Sequence, residues 1–137
     1  MRYHYKIWPQ ASPHPAFPNE RSAWIAILNV RIAHVATHSP PTKQFEAVVD
    51  SGSGDTLFHA SIGRSIGIKV EKGIAAGMGG IIKSKKTTAY FHDVNLYVGT
   101  DIIKIRAGFR EDLSVAGILG RRGFFEHFIV TFDPAMA

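Results

Sequence analysis

The chain contains no cysteine. A disulfide framework and thiolate chemistry are therefore excluded, and a reducing compartment suits the composition. No apolar run approaches the roughly 18 residues of a membrane-spanning helix. The opening MRYHYKIWPQ has no apolar stretch of the signal-peptide kind. Its seven histidines include no HExxH pair, and His34 and His38 straddle a strand end and a loop. Gly52-Ser53-Gly54 lacks the third glycine of a dinucleotide fingerprint and opens no long helix. Lys83-Ser84 after Gly80 does not have P-loop spacing, and neither Ser51 nor Ser53 sits in a G-x-S-x-G elbow. No metal and no cofactor is expected.

What is present points to one soluble, globular domain. The 137 residues are 45% hydrophobic and 20% charged, enough chain to bury a core. The cytoplasm is the default location, with no membrane partner. The net charge is +5, spread along the chain and densest at Lys83, Lys85 and Lys86. Nucleic acid or an acidic partner would suit that sign. A solvated strand face is the simpler account, because no nucleic-acid motif accompanies the charge. A basic nucleic-acid-binding barrel would show itself by steep loss of binding with salt.

Residues 1–21 carry Pro9, Pro13, Pro15 and Pro18 among Tyr3, Tyr5, Trp8 and Phe17. Proline fixes φ and donates no backbone bond, so an extended arm is expected, laid on the domain or on a partner. The remaining residues, 22–137, should form the domain. Residues 23–35 read as one long strand whose Ala26, Leu28, Val30, Ile32 and His34 face inward. Phe45–Val49 returns as its hairpin partner. Thr56–Phe58 reads as a short strand, His59–Ile66 as two helical turns ended by Gly67, and Ile68–Ile74 as a strand. Glycines 77, 79 and 80 lie between apolar flanks, as in a hairpin tip. Thr87–Val98 and Ile102–Ala107 read as strands about a Gly99-Thr100-Asp101 turn. Val115–Gly120 reads as a buried strand, Arg121–Phe128 as a short helix and Phe128–Phe132 as a last strand. Many short strands with one or two brief helices define an all-β barrel or sandwich.

Phe45–Phe58, FEAVVDSGSGDTLF, concentrates the chemistry. An apolar strand runs into Asp50 and then into a Gly/Ser turn, which would place a carboxylate at the end of a core strand. Burial there would disturb its ionisation. The plainer account is a surface Asp opening an ordinary turn. Two later segments weigh on the choice: Gly77-Met78-Gly79-Gly80, and Gly117-Ile118-Leu119-Gly120 leading into Arg121.

These three parts, in this order, resemble the retroviral-type aspartic proteases (retropepsins), in particular their single-domain bacterial members. The resemblance runs from about Phe45 to Phe132. It implies a closed acid-protease barrel, active as a homodimer on peptide or protein substrates. Asp50 resembles the catalytic aspartate. Ser51 stands for the usual threonine, whose hydroxyl links the two active-site loops of the dimer. Gly52 would let the substrate backbone approach, and the Ser53 hydroxyl would reach the carboxylate. Gly77, Met78, Gly79 and Gly80 resemble the flap over the substrate. Ile118, Leu119 and Gly120 resemble the strand threaded behind the catalytic loop, and Arg121 the start of the family's helix. One departure is plain. Many retroviral members carry an acid four positions after the catalytic Asp, paired with the arginine after the Ile-Leu-Gly strand. Here that position is Gly54, and the acid is Asp55. Its partner is left open between Arg121, Arg122 and substrate.

Hydrolysis of a peptide bond without metal or nucleophile needs one group to deprotonate water and another to protonate the carbonyl oxygen. Two carboxylates sharing a proton do both, because like charges about 3 Å apart cannot both ionise. With one Asp-Ser-Gly per chain, the pair requires a homodimer. The alternative is a catalytically silent dimeric β-barrel that binds a peptide or another ligand in the same groove. Phe124, Phe125 and Phe128 are read as core and interface packing.

Overall fold

The computed structural model describes residues 2–9, 12, 14–20, 22–35, 40–77 and 87–133. Six strands close into a barrel: β3 (Ile27–His34), β4 (Phe45–Val49), β5 (Leu57–His59), β7 (Ala89–Val98), β8 (Asp101–Arg110) and β9 (Gly117–Leu119). Their order is β3-β4-β9-β5-β8-β7, and β7 returns to pair with β3. Strand β6 (Ile74–Ala76) lines the outer end of β7. Closure removes the free edges that an open sheet of this size would expose.

The hydrophobic pattern explains which strands face inward. On β7, Val94, Leu96 and Val98 alternate into the core, and on β8 Ile105, Ala107 and Phe109 meet them. Val30, Ile32, Ala47, Phe58 and Leu119 complete the interior from the other strands. Phe58 and Phe109 are fully buried, with ring centroids 5.9 Å apart. Truncating either to Ala removes a core aromatic, at a cost of about 3–5 kcal/mol.

The expected β3–β4 hairpin is present, antiparallel with Leu28 opposite Ala47. Several other expectations are corrected. The long strand over residues 23–35 is broken at Ala26 into β2 (Ser22–Ile25) and β3. Its inward set also differs, since Ile27 and Ala33 are buried while Leu28 and His34 are only partly covered. The arm, by contrast, is extended over β1 (Lys6–Pro9), which pairs antiparallel with β2. A turn closed by Phe17 N–H to the His14 carbonyl lies in the connection, and Lys6 reaches Glu46 at 3.6 Å.

The expected helix is present as α1 (Ala60–Ser65), the single α-helix among the described residues, capped by the His59 side chain, which accepts from the Ser61 amide. Arg64 at its end pairs with Glu71 and Glu111. The segment 68–74 is not a strand. Residues Val70–Lys72 form a 3₁₀ turn because burial of Val70 winds the chain inward, and only 74–76 join a ladder. Arg121–Phe128 is a run of turns rather than a helix. Gly123 takes φ +95°, which breaks helical geometry, and its amide is caught by Glu126 Oε1 at 2.8 Å. Phe128–Phe132 pairs with no strand among the described residues.

Candidate functional site

The topology explains how Asp50 is presented. Strand β9 lies between β4 and β5, parallel to the first and antiparallel to the second. The loop 50–56 that joins β4 to β5 must therefore pass around the end of β9. Backbone bonds hold it there. Asp50 N–H donates to the Leu119 carbonyl at 2.9 Å, Arg121 N–H to Ser53 at 2.9 Å, and Arg122 N–H to Gly54 at 3.0 Å. Ile118 and Leu119 thus sit directly behind the loop, with Val48 opposite Ile118 and Val49 opposite Leu119.

Gly120 is where the two chains come closest. A Cβ there would lie 2.1 Å from the Asp55 carbonyl oxygen and 2.8 Å from that of Ser53. No side chain fits. Beside it, Thr56 is fully buried. Its hydroxyl donates to the Arg122 carbonyl at 2.8 Å and accepts from the Gly120 amide at 3.1 Å. Sequence reasoning assigned Thr56 only to a strand. A hydroxyl opening an otherwise apolar run was the signal that pointed further.

The Asp50 carboxylate is exposed, not buried as a core-strand end would suggest. The Gly52 amide donates to its Oδ1 at 2.9 Å, an Asx turn that fixes the side chain against the loop. Ser51 and Gly52 are exposed alongside it. The Ser53 hydroxyl does not reach the carboxylate. It donates instead to the Asp55 carbonyl at 2.6 Å, across the tight bend of the loop.

Asp55 pairs with Arg122. Arg122 Nε donates to Asp55 Oδ1 at 2.7 Å, and the two residues form a parallel bridge. That hydrogen bond, reinforced by the carboxylate charge, raises the Arg122 guanidinium further above its ordinary range. Arg121 lies exposed beside it. Of the expected flap, Gly77 ends the segment that follows β6, and Met78, Gly79 and Gly80 lie outside the described residues. The basic cluster Lys83, Lys85 and Lys86 does too.

A cleft of about 490 Å³ opens near the same end of the barrel. Tyr3 and Tyr5 of the arm, Leu28, Val49, Phe124 and the segment 128–133 line it. Ile129 is fully exposed there and Phe132 nearly half so. Among the described residues no group of three or more His, Asp or Glu is placed to hold a metal ion. Nor, among them, is any helix long and apolar enough to cross a membrane. No protein-family model matches the chain, and no curated protein sequence matches it.

Proposed function

We propose that the chain is a retropepsin-like aspartic endopeptidase that acts as a homodimer, in a reducing compartment such as the cytoplasm. The observation that carries this reading is the presentation of Asp50. A loop clamped around β9 holds an exposed carboxylate at the end of β4, with the Gly52 amide as its partner among the described residues. The next carboxylate along the loop, Asp55, is already committed to Arg122. One protomer therefore supplies one free carboxylate, and the reaction needs two. A second copy related by a two-fold axis supplies the other.

In that dimer one Asp50 takes a proton from water, and the oxygen attacks the scissile carbonyl carbon. Its mate, protonated, gives its proton to the carbonyl oxygen. The tetrahedral intermediate collapses as the C–N bond breaks and the amine leaves with a proton. The exposed apolar side chains of Ile129 and Phe132 suit burial between copies.

The test is cleavage of a mixed peptide library between pH 4 and 7 by wild type and Asp50→Asn, with the solution mass of each recorded. Cleavage by a wild-type dimer and none by a dimeric Asp50→Asn protein is the expected result. A dimer inert at every pH points to the silent peptide-binding barrel. Cleavage by a monomer, or equal cleavage by Asp50→Asn, removes Asp50 from the mechanism.

A further inference from the structure

Two arginines follow the strand behind the Asp50 loop, and the loop uses them differently. Arg122 gives its Nε to Asp55, which balances its charge locally. Arg121 is held through its backbone, its N–H donating to the Ser53 carbonyl at 2.9 Å. Its side chain is exposed, and among the described residues no ion pair includes it.

The cause lies at Gly54. A Cβ on Gly54 would sit 3.6 Å from Arg121 Nη2 and 3.5 Å from Arg122 Nη2. A short acidic side chain at this position would lie under both guanidinium groups. Glycine leaves that space open, four residues from Asp50 on the same loop. Arg122 takes Asp55 as its partner, and among the described residues no carboxylate pairs with Arg121. A guanidinium carries five N–H donors in a planar fork that matches a carboxylate. An exposed arginine elsewhere on a surface would simply be solvated. This one faces an opening in the loop that presents the reactive carboxylate.

Building on the proteolytic reading above, we infer that Arg121 anchors a carboxylate of the substrate, so that the enzyme selects acidic peptides. The group is either an Asp or Glu side chain near the scissile bond or the free C-terminal carboxylate of a short peptide. The protein's positive net charge favours approach of such substrates.

The experiment uses a cleavable peptide in which one Glu is stepped through four positions on each side of the bond. Each version has a Gln counterpart, and a separate pair ends in carboxylate or amide. At one position wild type should favour the charged version in kcat/KM by about tenfold, the worth of one charge-assisted hydrogen bond. Arg121→Gln should bring that ratio to about one, and Arg121→Lys should keep part of it. Gly54→Asp offers an independent check that leaves Arg121 in place. Its carboxylate would occupy the guanidinium from within and remove the preference. Equal cleavage of charged and neutral versions at every position overturns the inference while the protease reading stands. So does a preference that survives in both Arg121→Gln and Gly54→Asp. If wild type cleaves nothing, the protease reading fails instead. Binding of the fluorescently labelled Glu and Gln peptides then decides Arg121: a charge preference lost in Arg121→Gln keeps the anchor, and equal binding removes it.

Discussion

Thr56 is fully buried where β5 begins, and its hydroxyl ties the Gly120 amide to the Arg122 carbonyl. Replacing it with Val keeps the shape and strands a buried donor and a partly buried acceptor. The expected loss is about 2–4 kcal/mol of unfolding free energy in a urea titration, and Thr56→Ser should recover most of it. Gly120→Ala should fare worse, because the new methyl meets backbone oxygen at 2.1 Å and neither strand can retreat. A soluble, well-folded Gly120→Ala protein would argue against the close packing of loop on β9. At this scale much of the site was legible in the sequence. Asp50, Gly52 and Gly120 stood in the order that carries the resemblance, and the turn that follows the apolar run into Asp50 is set by local pattern. Thr56 was not legible in the same way: a hydroxyl opening an apolar run marks the position, but its partners lie 64 and 66 residues away and nothing local names them. Ser53 was assigned to the carboxylate, but the bend of the loop brings the Asp55 carbonyl closer.

At the scale of elements, strands that alternate cleanly were legible and the segments that pack by their ends were not. Strand β7 could be read from Val94, Leu96 and Val98 alone. The turn run 121–127 could not, since one glycine at positive φ outweighs the helical look of Arg121–Phe128. The 3₁₀ turn at 70–72 is likewise a tertiary product. His92 of β7 donates from Nε2 to the Val70 carbonyl at 2.8 Å, while its ring packs edge-on to Phe109. His92→Phe keeps the ring and loses the bond. Its cost should be about 1 kcal/mol, and amides of residues 73–76 should exchange faster while Leu96 stays protected. A second pair gives a pH signature. Arg106 Nε donates to Asp93 across the β7–β8 ladder at 3.0 Å, which holds the Asp93 carboxyl below its ordinary range, helped by the Arg106, Lys104 and His92 charges and opposed by burial. A lowered folded pKa stabilises above the unfolded value of about 3.9, and that contribution is lost as pH falls through the lowered one. Asp93→Asn should therefore be less stable than wild type at pH 7 in urea, with the gap closing as the pH falls below the ordinary carboxylate range. The pair is exposed, so the gap should be small and shrink in 1 M salt.

For the whole molecule the proposed dimer makes protein concentration the decisive quantity. A barrel that closes on itself has no edge to offer a partner, so the proposed dimer must use what lies outside the closed sheet. The segment 128–133 qualifies: its Phe128 and Val130 lean on the core, while Ile129 and Phe132 face outward beside the 490 Å³ cleft. If two copies share one reaction centre, activity per protomer must fall on dilution through the dimer dissociation constant, and adding an inert Asp50→Asn protein must lower it further by forming mixed dimers. Ile129→Glu places a charge where an apolar contact is required. Truncation at an interface hot spot costs 2 kcal/mol or more, so the dissociation constant measured by sedimentation equilibrium should rise by roughly thirtyfold or more. Activity at micromolar protein should drop accordingly and return as concentration is raised. An Ile129→Glu protein that stays folded, dimerises as tightly as wild type and keeps its activity on dilution would move the interface elsewhere on the barrel, while leaving Asp50 and its loop untouched.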